Sequence, residues 1–147
     1  EEAVMSGFDI CAYDHVGIRV TDRSRAIAFY QLLGFELEPE EEWEEHRALS
    51  MVTTSGVRIN LIYNAAAQPK AHNVLLDESV RLPGITHLAL VVDSLTQVMA
   101  RMRELGIAIT EGPLQVGRRR VICFVRDPDG NVVEFDELLL KTPSAPT

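Results

Sequence analysis

The apolar positions of the 147-residue chain fall into two similar cycles, each a strand, a helix and three further strands. The first cycle opens at Tyr13–Val20, where Val16, Ile18 and Val20 share one face and His15, Gly17 and Arg19 the other. A helix follows. Asp22 is the expected N-cap, Ala26, Ile27, Tyr30 and Leu33 form a stripe at helical spacing, and Gly34 is a C-terminal stop. Phe35–Leu37 reads as a short strand and the next stretch, with seven Glu among residues 36–45, as a solvated connection. Arg47–Thr54 and Val57–Tyr63 read as a hairpin turning at Ser55-Gly56.

Residues 64–84 lose periodicity and contain two prolines, which marks a connection. The pattern then restarts. Ile85–Val92 is a strand, Asp93 or Ser94 caps a helix with Leu95, Val98, Met99, Met102 and Leu105 inward, and Gly106 ends it. Ile107–Ile109 reads as a short strand, Glu111–Gly117 as a loop around Gly112-Pro113, and Arg119–Arg126 as a strand. Asp127-Pro128-Asp129-Gly130 has type I turn chemistry and leads into NVVEF, where Glu134 lies opposite Val133 and Phe135.

The restart is an internal duplication. A shift of 72 places His15 on His87, Leu33 on Leu105 and Gly34 on Gly106, and a shift of 74 places Gly56 on Gly130 and Asn60 on Glu134. The expected architecture is α+β: two βαβββ modules forming a curved, half-barrel mixed sheet around a central cavity. One domain spans 13–138, with module 1 at 13–64, a connection at 65–84 and module 2 at 85–138; 1–12 and 139–147 are flanking tails. Helices on one face of each sheet leave His15, Asn60, His87 and Glu134 on the other, converging on that cavity.

Two imidazoles and a carboxylate with open positions suit a divalent Fe, Mn, Zn or Ni ion. His15, His87 and Glu134 are the expected ligands, with Asn60 a weaker fourth. The net charge of −8 and pI near 4.9 argue against nucleic-acid binding. No apolar run approaches a membrane span and no signal-peptide order precedes the first strand. Cys11 and Cys123, far apart in apolar sequence, favour reduced thiols and a cytoplasmic location. Arg120, at the end of an Arg-Arg-Arg run, could clamp a substrate anion, and Arg19 and Arg58 share the parity of cavity-facing positions. Met51 and Phe124 are expected in the apolar wall, and His72 on a connection folded over the cavity mouth.

The DHVGI and THLAL strand openings, the helix ends LLGF and ELGI, and DPDGNVVEF together resemble the vicinal oxygen chelate superfamily over roughly Tyr13–Leu138. That superfamily includes glyoxalase I, methylmalonyl-CoA epimerase, extradiol dioxygenases, fosfomycin-resistance enzymes and bleomycin-binding proteins. The resemblance implies paired βαβββ modules, frequent homodimers, and metal ligands from the first and last strands of each module. Those positions are His15, Asn60, His87 and Glu134 here. Glyoxalase I has a carboxylate at both module ends, so Asn60 departs from it and is closer to the epimerase. Extradiol dioxygenases carry a Tyr about ten residues before the Glu, where this chain has Phe124.

The resemblance thus implies a metal-dependent lyase or isomerase that removes a proton beside a carbonyl; the expected base is Glu134 or, because the strand starting near His46 must pass the cavity rim, a Glu from 41–45. Ring cleavage and non-catalytic binding of an antibiotic or similar small molecule are the alternatives.

Overall fold

A computed structural model describes residues 4–139, so the extreme ends of both flanking tails lie outside the described residues. The first module contains β1 (Val16–Arg19), α1 (Arg23–Leu32), β2 (Glu36–Trp43), β3 (Ala48–Val52) and β4 (Arg58–Ile62); a 3-10 turn, Glu44–His46, precedes β3. The second contains β5 (His87–Val91), α2 (Leu95–Leu105), β6 (Glu111–Val116), β7 (Arg120–Arg126) and β8 (Val132–Leu138). Each module is one four-stranded mixed sheet, ordered β1-β4-β3-β2 and β5-β8-β7-β6. The first strand runs parallel to the last and the remaining pairs are antiparallel. The duplicated βαβββ architecture is as the sequence predicts. No hydrogen-bonded ladder joins the two sheets among the described residues.

Local chemistry explains both helices. Asp22 accepts a hydrogen bond from the Arg25 backbone N–H and Ser94 accepts from that of Gln97, satisfying donors that the first turn leaves open. Gly106 ends α2 at φ +71°, a left-handed conformation that suits glycine. Below the sheets, Ile18, Val20, Tyr30, Phe35, Leu49, Met51, Ile59 and Leu61 join Leu95, Met102, Val125, Val133 and Phe135 in one core cluster.

The structure corrects two readings of local sequence. The Glu-rich run is not a solvated connection, because Glu36–Trp43 forms β2. Its register on β3 shifts between Leu37 and Glu42, with Glu40 at φ +64°, so Glu38 and Glu42 meet partners on opposite sides of the sheet. Arg58 donates to Glu38 through Nε and Nη2, both at 2.8 Å, while Glu42 accepts from Arg23 and from the Tyr63 hydroxyl. The other correction concerns module 2, where Glu111–Val116 is a strand and Ile107–Ile109 is not. β6 lies at the sheet edge, where a proline costs no ladder bond.

The modules are pinned together at the DPDG turn. Asp127, 3% exposed, accepts from the Tyr30 hydroxyl of α1 at 2.8 Å, from the backbone N–H groups of Asp129 and Asn131, and from the Asn131 side chain. Asp129 accepts from the backbone and hydroxyl of Thr21, and Asn131 donates to the Arg19 carbonyl. A buried carboxylate with this many donors is structural. The connection is tied to the same turn. Arg126 grips Asp77 at 2.7 and 2.8 Å, Asn73 donates to the Gly130 carbonyl, and a Cβ at Gly130, which has φ +90°, would approach the His72 backbone to 3.3 Å.

Candidate functional site

Strand alternation separates what is buried under the helices from what is presented on the other face. In module 1, buried Ile18, Ile59 and Leu61 alternate with Gly17, Arg58 and Asn60. Asn60 is in register with Gly17 on one side and Ser50 on the other. Its Oδ1 is buried and has no hydrogen-bond partner, so one acceptor is left unused on this face. His15 stands one residue before β1, partly exposed, with Nδ1 2.6 Å from Asp14 Oδ2.

In module 2, Ala89 pairs with Glu134 and Phe124 pairs with Glu134 from the other side. His87, at the start of β5, places Nε2 3.3 Å from Glu134 Oε1, while its Nδ1 is 2.8 Å from Thr86 Oγ1. Phe124 packs edge-to-face on the imidazole with centroids 5.9 Å apart. The sequence therefore brings an imidazole and a carboxylate together across neighbouring strands, with an aromatic ring beside them.

Burial, then the pull of the neighbouring Asp136 carboxylate on a proton held by Glu134 and that group's negative charge, push the Glu134 carboxyl up to about 7, against the opposing effect of Arg120. Its ordinary value is 4.5, so the folded, metal-free chain holds a proton that the unfolded chain releases earlier. Stability of metal-free protein should therefore fall by about 1–3 kcal/mol as pH rises from about 4.5 to about 7, then level off. Denaturant unfolding at pH 5 and pH 8 after chelation measures this, and Glu134→Gln should flatten the slope.

The expected substrate residues divide. Arg58 is held bidentately by Glu38, and Arg120 donates to Asp136 through Nη1 at 3.0 Å. Arg19 donates through Nε to the neutral Asn64 side chain at 3.1 Å and has no carboxylate within ion-pair distance among the described residues. It borders a cavity of about 530 Å³ shared with Asn64, His72, Asn73, Thr86 and Asn131, within the range of small-molecule pockets. His72 is also held by Glu78 at 2.9 Å.

Met51 is not a wall residue. It is fully buried, pairs with Ile59 and faces the helix side, opposite Asn60. Asp136, which sequence reasoning missed, is 2% exposed on the face of Glu134; the alternation of VVEFD already placed the two carboxylates together.

The donor types suit a divalent metal: two imidazoles, a carboxylate and an amide oxygen without a partner. Module 1 carries His15, just before β1, and Asn60, on β4, while module 2 carries His87 and Glu134, which lie 3.3 Å apart. Among the described residues no three His, Cys, Asp or Glu side chains lie grouped so as to hold a metal within the single chain. No helix among them is long and apolar enough to cross a membrane.

Comparison with known proteins agrees with this architecture. Lactoylglutathione lyase of Haemophilus influenzae is 32% identical over 131 residues, covering 84% of this chain and 90% of that protein. The Salmonella typhimurium protein of the same name is 33% identical over 132 residues, with the same shares covered. A glyoxalase/dioxygenase from Nostoc punctiforme superposes with a TM-score of 0.72 at 18% identity, covering 95% of this chain and 99% of that one. The description of the glyoxalase/bleomycin resistance protein/dioxygenase superfamily matches residues 12–135, and the chain belongs to that superfamily.

Proposed function

We propose that the chain is a divalent-metal-dependent enzyme that moves a proton beside a carbonyl in a small substrate with adjacent oxygens, and that it works as a homodimer. The observation that carries this reading is the His87–Glu134 pair, one imidazole and one carboxylate 3.3 Å apart on a face that also holds Phe124. His15 and Asn60 supply the remaining donors from module 1. Because no such triad forms within one chain among the described residues, a second copy brings its module 1 face to this module 2 face, and Asn60 Oδ1 gains a partner there. A bound Fe, Mn, Zn or Ni ion would supply Lewis acidity for negative charge on the substrate oxygens.

The protein's own groups do the rest. Glu134, already displaced toward neutral pH, is suited to receive the proton and return it to the neighbouring carbon. Phe124 limits water at the pair, and Arg19 anchors an anionic substituent in the adjoining cavity. The relatives' name points to a 2-hydroxyacyl thioester, with interconversion of thioester and the hemithioacetal of a 2-oxoaldehyde as the reaction. Asn60 favours a second reading, epimerisation of a 2-substituted acyl thioester, because the epimerases that this chain resembles have an amide at that position beside two His and one Glu.

Metal-loaded protein should convert the methylglyoxal–glutathione hemithioacetal to lactoylglutathione, or exchange the α-proton of a 2-methyl-branched acyl thioester in deuterated water. Turnover should require added metal and no oxygen. Oxygen uptake with catechols, or ligand binding without any turnover, would overturn the reading. A cytoplasmic location is part of this proposal; the described cysteines, Cys11 exposed and Cys123 buried, are both free thiols.

A further inference from the structure

Several arginines in this chain are fully engaged by acids. Arg23 grips Glu42, Arg58 grips Glu38 and Arg126 grips Asp77, each through two nitrogens. Arg120 is different. It touches Asp136 through Nη1 alone at 3.0 Å, and its side chain is 42% exposed while that of Asp136 is 3% exposed. Asp136 Oδ1 has no hydrogen-bond partner although it is buried.

Register puts all the participants on one face. Phe124 lies opposite Glu134, Ile122 opposite Asp136 and Arg120 opposite Leu138, so Arg120 reaches diagonally past Ile122 to the carboxylate two residues from Glu134. Same-face neighbours on a strand are roughly 6–7 Å apart, well within the reach of an arginine side chain. A guanidinium on this face has two buried carboxylates to choose between, and it sits on the one farther from His87. Without Asp136, the next buried acid available to it is Glu134. A buried ion pair there would take up the carboxylate that faces His87.

We propose that Asp136 is a positioning residue that holds Arg120 away from Glu134, leaving the Glu134 carboxylate turned toward His87 and available to a divalent metal. This rests on the donor set proposed above and adds a control on it by two residues that touch neither metal nor substrate. Outer partners of metal ligands commonly govern affinity in this way.

The test uses wild type, Asp136→Asn and the double variant Arg120→Met/Asp136→Asn. Each metal-free protein is titrated with Co(II) and followed by calorimetry and visible absorption, and the His87 ring resonances of the metal-free proteins are recorded by NMR. Asp136→Asn should weaken Co(II) binding about 10–100-fold and shift the His87 ring signals, because Arg120 moves onto Glu134. Removing Arg120 as well should return both to near the wild-type values, a recovery that a merely structural role for Asp136 would not produce. Unchanged affinity and His87 signals in Asp136→Asn would overturn the proposal, as would a double variant as impaired as the single one. If wild type takes up no Co(II), the metal reading fails, and the NMR comparison alone still decides whether Asp136 keeps Arg120 from Glu134.

Discussion

Asp127→Ala is expected to destabilise the protein by about 3–5 kcal/mol, the largest loss from any single polar side chain in the fold. The substitution removes the acceptor of the Tyr30 hydroxyl, two backbone N–H groups and the Asn131 side chain at once, in a residue 3% exposed. It also unties the DPDG turn from α1, so the contact between modules weakens with the turn. Tyr30→Phe deletes one of these bonds and should cost about 1 kcal/mol. Urea unfolding of the two variants checks both figures. A loss below 1 kcal/mol for Asp127→Ala would show that the turn is held by something other than this carboxylate.

The second large effect concerns the metal. Glu134→Gln removes the one carboxylate of the donor set yet keeps its shape, and His87→Ala removes the imidazole 3.3 Å away. Either should lower divalent-metal affinity by about 100-fold or more, since changes to outer partners alone cost 10–100-fold, and turnover should fall with it. Thermal unfolding of the metal-free variants should change little for His87→Ala, whose side chain is 39% exposed. Calorimetric titration with Ni(II) and Co(II) measures the affinities. Wild-type affinity in both variants would remove module 2 from the metal site.

Much of this was legible because short-range chemistry wrote it. Asp22, Ser94 and Gly106 act within one helical turn of their own position, and strand alternation alone placed His87 and Glu134 on a common face. What was not legible depends on partners distant in sequence. The Glu run looked solvated because Arg23 and Arg58, which neutralise Glu42 and Glu38, are 19 and 20 residues away. Asp127 looked like a turn residue, and its partner Tyr30 lies 97 residues earlier. Met51 was misplaced because which face a hairpin residue occupies depends on register, and pairing with Ile59 turns it into the core. β6 was hidden by Gly112-Pro113, chemistry that breaks an inner strand but is tolerated at an edge.

Convergence of the four donors on one hollow was expected within a chain, whereas the structure pairs only His87 with Glu134, and among the described residues no three His, Cys, Asp or Glu side chains are placed to hold a metal. In the homodimer proposed above a twofold partner would unite them: each copy carries both halves, so two copies would complete two sites. Exposed apolar side chains on module 2, Val91 at 68% and Val116 at 43%, supply surface for such a contact.

The decisive measurement is complementation between two defective proteins. His15→Ala and Glu134→Gln are purified separately, mixed under conditions that exchange subunits, and assayed for Ni(II) bound per chain. If the halves meet between copies, mixed dimers contain one site with both defects and one with none, and tight binding should return to roughly a quarter of the wild-type level. If mixing restores no tight binding although subunits have exchanged, the four donors do not form a site between copies, and the account is contradicted.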